Sequence, residues 1–392
     1  MLAEKRRYQT LYFVFFAAGS GITAFRNVYF EELGLSGFEM GVIGAVMVGA
    51  GMFAQPLWGV VADRFGRTKG SLLVGTAVSG LVGLAFPAIG QSVTDPPLLF
   101  GLLLVAGVVF ASFRAPIMPI ANSMVLDSGL EYGSVRAFGA IAFGLGLVGI
   151  GSLVEWFGTT VVFYIYVVGM AGFFLALWGL PKPETTVAPD YRSEAVRLLT
   201  NRRFLLLLIV GIVMGGVVSA GASFFAVFMR DIQAGDDITG IAWFIRTVGE
   251  AVIFLAMARI GLDYRWQLSL GVGAYVLGYA VYGLTGAVPA ILSVQLMLGV
   301  GYAMFNLSTV NLAHRFAPEA LSSTAQAVMT GVGIGAGRAV GQLAGGQLVD
   351  MVGTQQLYLW LAGATVVALA VSLAFFLPGM GTAMAVEDPD AS

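Results

Sequence analysis

Apolar runs about twenty residues long recur along this chain, each too long for a strand and too uniformly apolar for a helix facing water. Twelve can be marked off: Tyr8–Phe30, Phe38–Val61, Gly70–Gly90, Leu98–Met124, Val135–Val154, Thr160–Leu180, Phe204–Phe228, Ile238–Ala258, Trp266–Leu284, Pro289–Leu312, Ser322–Val349 and Gln356–Leu377. A hydrocarbon core ~30 Å thick is crossed by roughly 20 residues of helix, because each segment has to satisfy its own backbone hydrogen bonds. With 58% hydrophobic and 11% charged residues, the chain has too little polar surface to present twelve such helices to water. The expected fold class is an all-α integral membrane protein of twelve transmembrane helices.

Basic residues accumulate in cytoplasmic loops, which sets the orientation. With the N-terminus inside, the inner segments hold most of the twenty Lys and Arg residues, Lys5, Arg6, Arg7, Arg64, Arg67, Lys69 and Arg136 among them. The outer loops hold Arg230 alone, but carry Glu31, Glu32, Glu39, Asp95, Glu155, Asp231, Asp236, Asp237 and Asp350. Both termini are expected in the cytoplasm, and the protein in the plasma membrane. The Lys5-Arg6-Arg7 start reads as the flank of an uncleaved first span, since the run that follows is long and ends in FRNVYFEE without a small-residue cleavage site.

Several chemistries are excluded on residue types. The absence of cysteine removes disulfides, thiolate metal sites and thiol catalysis, and the single His314 is too isolated for a metal cluster. No cofactor or metal is expected, and no enzyme: there is no nucleophile with an adjacent base. A net charge of −2 argues against nucleic acid as a partner. Gly144, Gly146 and Gly149 spell GxGxxG, but without a preceding strand they read as close helix packing rather than a dinucleotide turn. Asn306-Leu307-Ser308 matches a glycosylation sequence inside a span, and no GxxxxGK[ST] element provides for ATP.

The chain also repeats itself. At an offset of 195 residues, LVEWFG (Leu153–Gly158) becomes LVDMVG (Leu348–Gly353), Arg64-Phe65-Gly66 becomes Arg259-Ile260-Gly261, and Gln55 falls on Glu250. The two halves meet at a polar, proline-bearing stretch, Pro181 to Arg203. Two pseudo-symmetric six-helix bundles, at 1–181 and 204–378, with a cytoplasmic linker at 182–203 and a cytoplasmic tail at 379–392, are the plan of a two-bundle transporter with a midplane site.

The loop after the second span reads GVVADRFGRTKG, Gly59 to Gly70. It resembles the loop signature of the major facilitator superfamily, with Gly59, Asp63, Arg64, Gly66, Arg67 and Lys69 in place. The resemblance implies the twelve-helix fold of that family and a cytoplasmic gate that locks when the carrier faces outward. Physically, the glycines permit a tight turn and Asp63 suits an exposed helix N-terminus. Arg64 or Arg67 has a partner to hand in Asp127, at the inner end of the fourth span. A positive inner loop is also plain topology, but Gly59, Asp63 and Gly66 serve no topological purpose.

Five ionisable residues lie well inside spans: Arg26, Arg114, Arg246, Glu250 and Arg338. Each costs about 2.5–3.5 kcal/mol on insertion scales unless it faces a cavity or a partner. Arg246 and Glu250, four apart, share a helix face and either neutralise each other structurally or form a coupling site. Four arginines against one carboxylate would make a shared cavity positive, which favours an anionic solute.

Arg136 opens a run, RAFGAIAFGLG, that carries no other charge. Arg136, Ala140 and Phe143 recur at i, i+4 and i+7 on one helix face, so the missing partner is either the solute or the cytoplasmic surface reached by snorkelling. EYGSVRAFGAIAF resembles the fifth-helix opening of lactose permease and its relatives, where the arginine contacts substrate and a downstream aromatic stacks on it; Arg136 and Phe143 occupy those positions. GIAWFIRTVGEAVIF is similar to the eighth helix of the phenylpropionate-permease branch through Gly240, Trp243, Glu250 and Phe254, which implies a substrate or proton role for Glu250. The chain departs from these relatives at Asn122, where an acidic residue is common, and at Asn306, where a histidine is.

The substrate-binding set is therefore Arg136, Phe143, Arg26, Asn122, Trp243, Asn306 and Arg338, with Glu250 and Arg246 for proton coupling. The expected activity is secondary transport of a small organic solute by alternating access, in symport with a proton or sodium, by a monomer in the lipid bilayer. An aromatic or aliphatic carboxylate suits the arginines best, then a nucleoside, then a glycoside. The competing readings are an exporter of drugs or metabolites, disfavoured by the absence of proline between Ala137 and Leu153, and a non-transporting receptor or assembly factor, disfavoured by the buried charges.

Overall fold

The computed structural model of the 392-residue chain describes residues 2–64, 68–128, 130, 132–178, 201–317 and 322–377. Among these residues every regular element is helical. The first half holds α1 (Leu2–Glu32), α2 (Gly37–Arg64), α3 (Thr68–Ser92), α4 in two segments (Pro96–Arg114 and Ile117–Asp127), α5 (Tyr132–Phe157) and α6 (Val161–Trp178). The second holds α7 in two segments (Arg202–Ser223 and Phe225–Asp231), α8 (Asp236–Ile260), α9 (Tyr264–Leu284), α10 (Val288–Phe316), α11 and α12.

The sequence explains the breaks. Pro116 has no N–H to donate to the Ser112 carbonyl, so the α4 ladder is interrupted at that point even though Ala115 keeps helical φ and ψ, −61° and −36°. Helix α11 begins at Ser322–Val328, widens into a π-helical turn over Met329–Ala336, and continues from Gly337. Gly353, at φ 82°, then reverses the chain into α12, residues 354–373, a conformation that costs glycine little. At the start of α9, Asp263 accepts from the Arg265 N–H; partial burial works upward on its pKa, but Arg265 holds the carboxyl below its ordinary value.

Ten segments are long and apolar enough to cross a membrane, and the last, Ala325–Phe376, contains both α11 and α12. With α8, a helix of 25 residues, twelve spans are present. Within the first half α1 packs on α5 and α6, and α3 and α4 close the set; within the second α7 packs on α11, α9 on α10 and α12, and α8 on α10. The halves meet along two crossings, α2 on α11 and α5 on α8. The molecule is an all-α membrane fold of two pseudo-symmetric six-helix bundles.

Candidate functional site

The face opposite the start of α1 is called distal. From that face to mid-span the two crossings are sealed by glycines: a Cβ on Gly41 would lie 2.5 Å from the Gln342 carbonyl, and one on Gly151 2.6 Å from the Asp236 carbonyl. Only backbone without side chain lets helices approach so closely. Gly41 meets Gly346, and Gly240 meets Gly151, so the same contact occurs twice. Gly346 follows Gly151 by 195 residues, but Gly240 follows Gly41 by 199. The repeat thus holds its offset in α5 and α11 and slips by about one helical turn in α2 and α8, which takes Glu250 out of register with Gln55.

Arg136 lies next to the α5–α8 crossing. Its guanidinium sits over the Phe16 ring of α1, 4.4 Å from the centroid. Phe143, seven residues on, packs instead against the hydrophobic core. Phe16 approaches Gly139 as well, so the ring is seated between the arginine and its own helix. Across the crossing, Arg246 and Glu250 are 3.8 Å apart on α8. The charges of both Arg246 and Arg136 act on Glu250, so residues from opposite bundles share one electrostatic site. Tyr302 of α10 lies in the field of Glu250, Arg338, Arg246 and Arg136 together.

Arg246 is only 6% exposed. It donates to the Tyr275 hydroxyl and lies over the Trp243 and Tyr275 rings at 5.1 and 5.6 Å. Tyr275, Tyr279 and Tyr282 come from one face of α9 and pack with Tyr358 of α12. Trp243 meets Phe225 edge-on at 5.8 Å. Neither this tyrosine face nor Phe16 was expected; the i, i+4, i+7 spacing in YVLGYAVY was the available signal for the tyrosines.

The remaining sites fall in the first bundle or near the second crossing. Arg26 donates to the Asn27 carboxamide oxygen at 3.0 and 3.1 Å, and to the Met47 sulfur. Arg114 lies over Phe15, Phe110 and Tyr166, within electrostatic range of Arg26, and its buried Nε has no hydrogen-bond partner. Asn122 accepts from the Tyr12 hydroxyl. Asn306 is half-buried, and Arg338, just past the π-helical turn, is exposed. Gly59 is half-buried with open space where a Cβ would stand. Gly66 and Arg67, with the side chains of Asp63, Arg64 and Asp127, lie outside the described residues, as do most of the linker and the tail.

Among the described residues no group of His, Cys, Asp and Glu is placed to hold a metal ion. What the site offers is binding: guanidinium forks, aromatic planes and one carboxylate at a junction of two bundles.

The MFS_1 like family matches the chain over residues 5–360. The chain is 26% identical to the maltose permease of Geobacillus stearothermophilus, covering 95% of this chain and 94% of that protein. It is equally 26% identical to the uncharacterized transporter YwbF of Bacillus subtilis (strain 168), over 91% and 90% of the two chains. With the probable 3-phenylpropionic acid transporter of Escherichia coli (strain K12) it shares 25% identity over 90% and 93%. In three dimensions it is similar to the crystal structure of the nucleoside transporter NupG, with a TM-score of 0.79 at 18% identity over 95% of this chain and 98% of that one. The fold, the doubled bundle crossing and these matches together make the chain a membrane transporter rather than an enzyme, and it belongs to the MFS_1 like family of the major facilitator superfamily.

Proposed function

We propose that the protein is a secondary active transporter that moves a small organic anion, an aromatic or aliphatic carboxylate, across the plasma membrane by alternating access in symport with a proton. Its units are the bundles 1–181 and 204–378, joined by a cytoplasmic linker at 182–203 and followed by a cytoplasmic tail at 379–392. It works as a monomer with both termini, and hence the face opposite the distal one, in the cytoplasm.

The observation that carries this reading is the imbalance of charge. Arg26, Arg114, Arg246 and Arg338 stand away from the ends of their spans, with Arg136 near the start of α5, whereas Glu250 is the only carboxylate so far from a span end among the described residues. Arg246 is matched by Glu250; Arg26 and Arg114 act on one another and have no carboxylate in an ion pair. An anion between the bundles removes that deficit, and the planar guanidinium of Arg136 stacked on Phe16 is presented to a carboxylate in a fixed orientation. Relatives named for maltose, 3-phenylpropionic acid and nucleosides mark small organic solutes as the range, and within it the anion suits these arginines. Glu250, paired with Arg246 and within electrostatic range of Arg136, supplies the proton site.

The glycine crossings seal the distal face in this state, and alternating access then assigns the exit from the site to the cytoplasmic side. Purified protein in liposomes, offered labelled carboxylates, nucleosides and sugars under pH and sodium gradients imposed separately, tests the proposal. Accumulation of a carboxylate under an acid-outside gradient is expected. Accumulation of neutral solutes alone overturns the anion assignment, and dependence on sodium alone overturns the proton.

A further inference from the structure

The repeated LVEWFG and LVDMVG motifs lie far from the arginines, and nothing in the substrate site uses them. They place Glu155 at the distal end of α5 and Asp350 at the distal end of α11. The Asp350 carboxylate accepts from the N–H groups of Gly37 and Phe38, at 2.6 and 2.7 Å, the first residues of α2. The Glu155 carboxylate accepts from the N–H of Asp236 at 2.8 Å, the first residue of α8. Each carboxylate therefore caps a helix of the opposite bundle. A helix N-terminus has N–H groups without intrahelical partners and a partial positive charge, both of which an acidic side chain satisfies. At α8 the preceding Gly235 makes no side-chain cap; at α2, Ser36 and Glu39 form a capping box, Ser36 Oγ accepting from the Glu39 N–H and Glu39 from the Ser36 N–H, and Asp350 takes the N–H groups of Gly37 and Phe38 that this box leaves over.

The geometry points to Glu155 and Asp350 as a pair of outer latches that hold the carrier closed on the distal side and that the transport cycle has to break each time it opens outward. The two are equivalent under the pseudo-symmetry, each one turn from the glycine, Gly151 or Gly346, that makes the bundle crossing. Opening outward separates α2 from α11 and α5 from α8, so neither cap survives it. A third contact spans the bundles beside the first latch: Arg230 binds Asp236 with Nε and Nη2 at 3.0 and 2.6 Å, and pairs with Glu32 of α1, which also accepts from Thr159. Asp236 of the second bundle is thus held twice by the first, at its N–H by Glu155 and at its carboxylate through Arg230 to Glu32. The closed distal face combines non-directional glycine packing with directional hydrogen bonds that Gln and Asn cannot supply with a full charge.

The inference concerns the gate and rests on the orientation with cytoplasmic termini, not on the substrate assignment. The chain has no cysteine, so single probes can be introduced without background. Ala45, 7% exposed and four residues from Gly41 on α2, reports the distal crossing; Ala140, between Arg136 and Gly144 on α5, reports the opposite side. In membrane vesicles of defined sidedness, an impermeant maleimide should label A45C from outside roughly tenfold faster when Glu155→Gln and Asp350→Asn are combined, because two helix caps are weakened together. Labelling of A140C from inside should fall in the same double variant, whereas damage to the fold would raise both. Each single substitution should produce part of the effect, and Glu155→Asp or Asp350→Glu should restore labelling toward the parent. Unchanged labelling at both probes, or a rise at both, overturns the latch. Labelling of A45C from the cytoplasmic side alone overturns the orientation instead, and neither result depends on knowing the solute.

Discussion

Glu250→Gln separates proton coupling from binding. The carboxylate lies 3.8 Å from the Arg246 guanidinium. At that distance the attraction is about 4 kcal/mol at the effective dielectric found for protein sites, and the carboxylate's desolvation opposes it by a comparable amount. Exchange for an amide loses both terms but leaves the buried Arg246 without its counter-charge, held by the Tyr275 hydroxyl and the Trp243 and Tyr275 rings, at a cost of about 3–5 kcal/mol. The variant should therefore melt below the parent while keeping the fold, which retained counterflow reports. Its transport should change in kind, because an amide imitates a permanently protonated carboxyl. External substrate should still exchange for internal substrate, but the proton no longer travels. With one proton per solute, each pH unit supplies about 1.4 kcal/mol, so a gradient of two units permits ~100-fold accumulation by the parent. The variant should equilibrate at a ratio of about one under the same gradient while retaining counterflow. Accumulation equal to the parent's, measured in proteoliposomes with the gradient verified, would refute the assignment of Glu250 as proton carrier and leave the Arg246 pair a structural one.

Arg136→Lys keeps the charge but loses the planar fork, and should weaken substrate binding by more than tenfold, about 1.4 kcal/mol, in equilibrium titration. Phe16→Leu keeps apolar volume but removes the ring 4.4 Å beneath that guanidinium, a loss of about 0.5–2 kcal/mol. In a double-mutant cycle Phe16→Leu and Arg136→Lys should be non-additive in affinity, and strict additivity would show the contact to be irrelevant to binding. Gly240→Ala forces a methyl group against the Leu147 carbonyl and should destabilise the sealed distal face by about 1–3 kcal/mol, read as faster outside labelling of A45C.

Much of the fold was legible because it follows from one-dimensional quantities. Span length, span number and the half-chain repeat depend on local apolarity and spacing, and the structure realises all three. The constant offset of 195 fails only in α2 and α8, where the pattern is weakest. Gly41 and Gly240 carry no side chain that marks them as equivalent, so the longer offset in α2 and α8 emerges only from the crossing they make. The break in α4 could be read from Pro116. The π-helical turn in α11 could not, since Met329–Ala336 is a glycine-rich run that an unbroken helix would also use.

The site was legible in its charges and not in its partners. An arginine well inside a span is conspicuous wherever it stands, so Arg26, Arg114, Arg246 and Arg338 stand out from the chain, and Arg136 from the uncharged run it opens. What each meets is decided by helices remote in sequence: Phe16 lies 120 residues before Arg136, and Tyr275 29 after Arg246. The helical period placed Phe143 on the same face as Arg136, but it could not tell that α1 packs against α5 and brings Phe16 closer. The same limit explains Glu155 and Asp350. In sequence they read as outer-loop acids that only help to set topology, whereas the two bundles bring each onto the backbone of the other's first distal turn. Conservation of a motif between the two halves of one chain then acquires a physical cause. Where a pseudo-symmetric pair of bundles must seal one face and later release it, the contact that does so has to exist twice, and the two copies are held to the same chemistry.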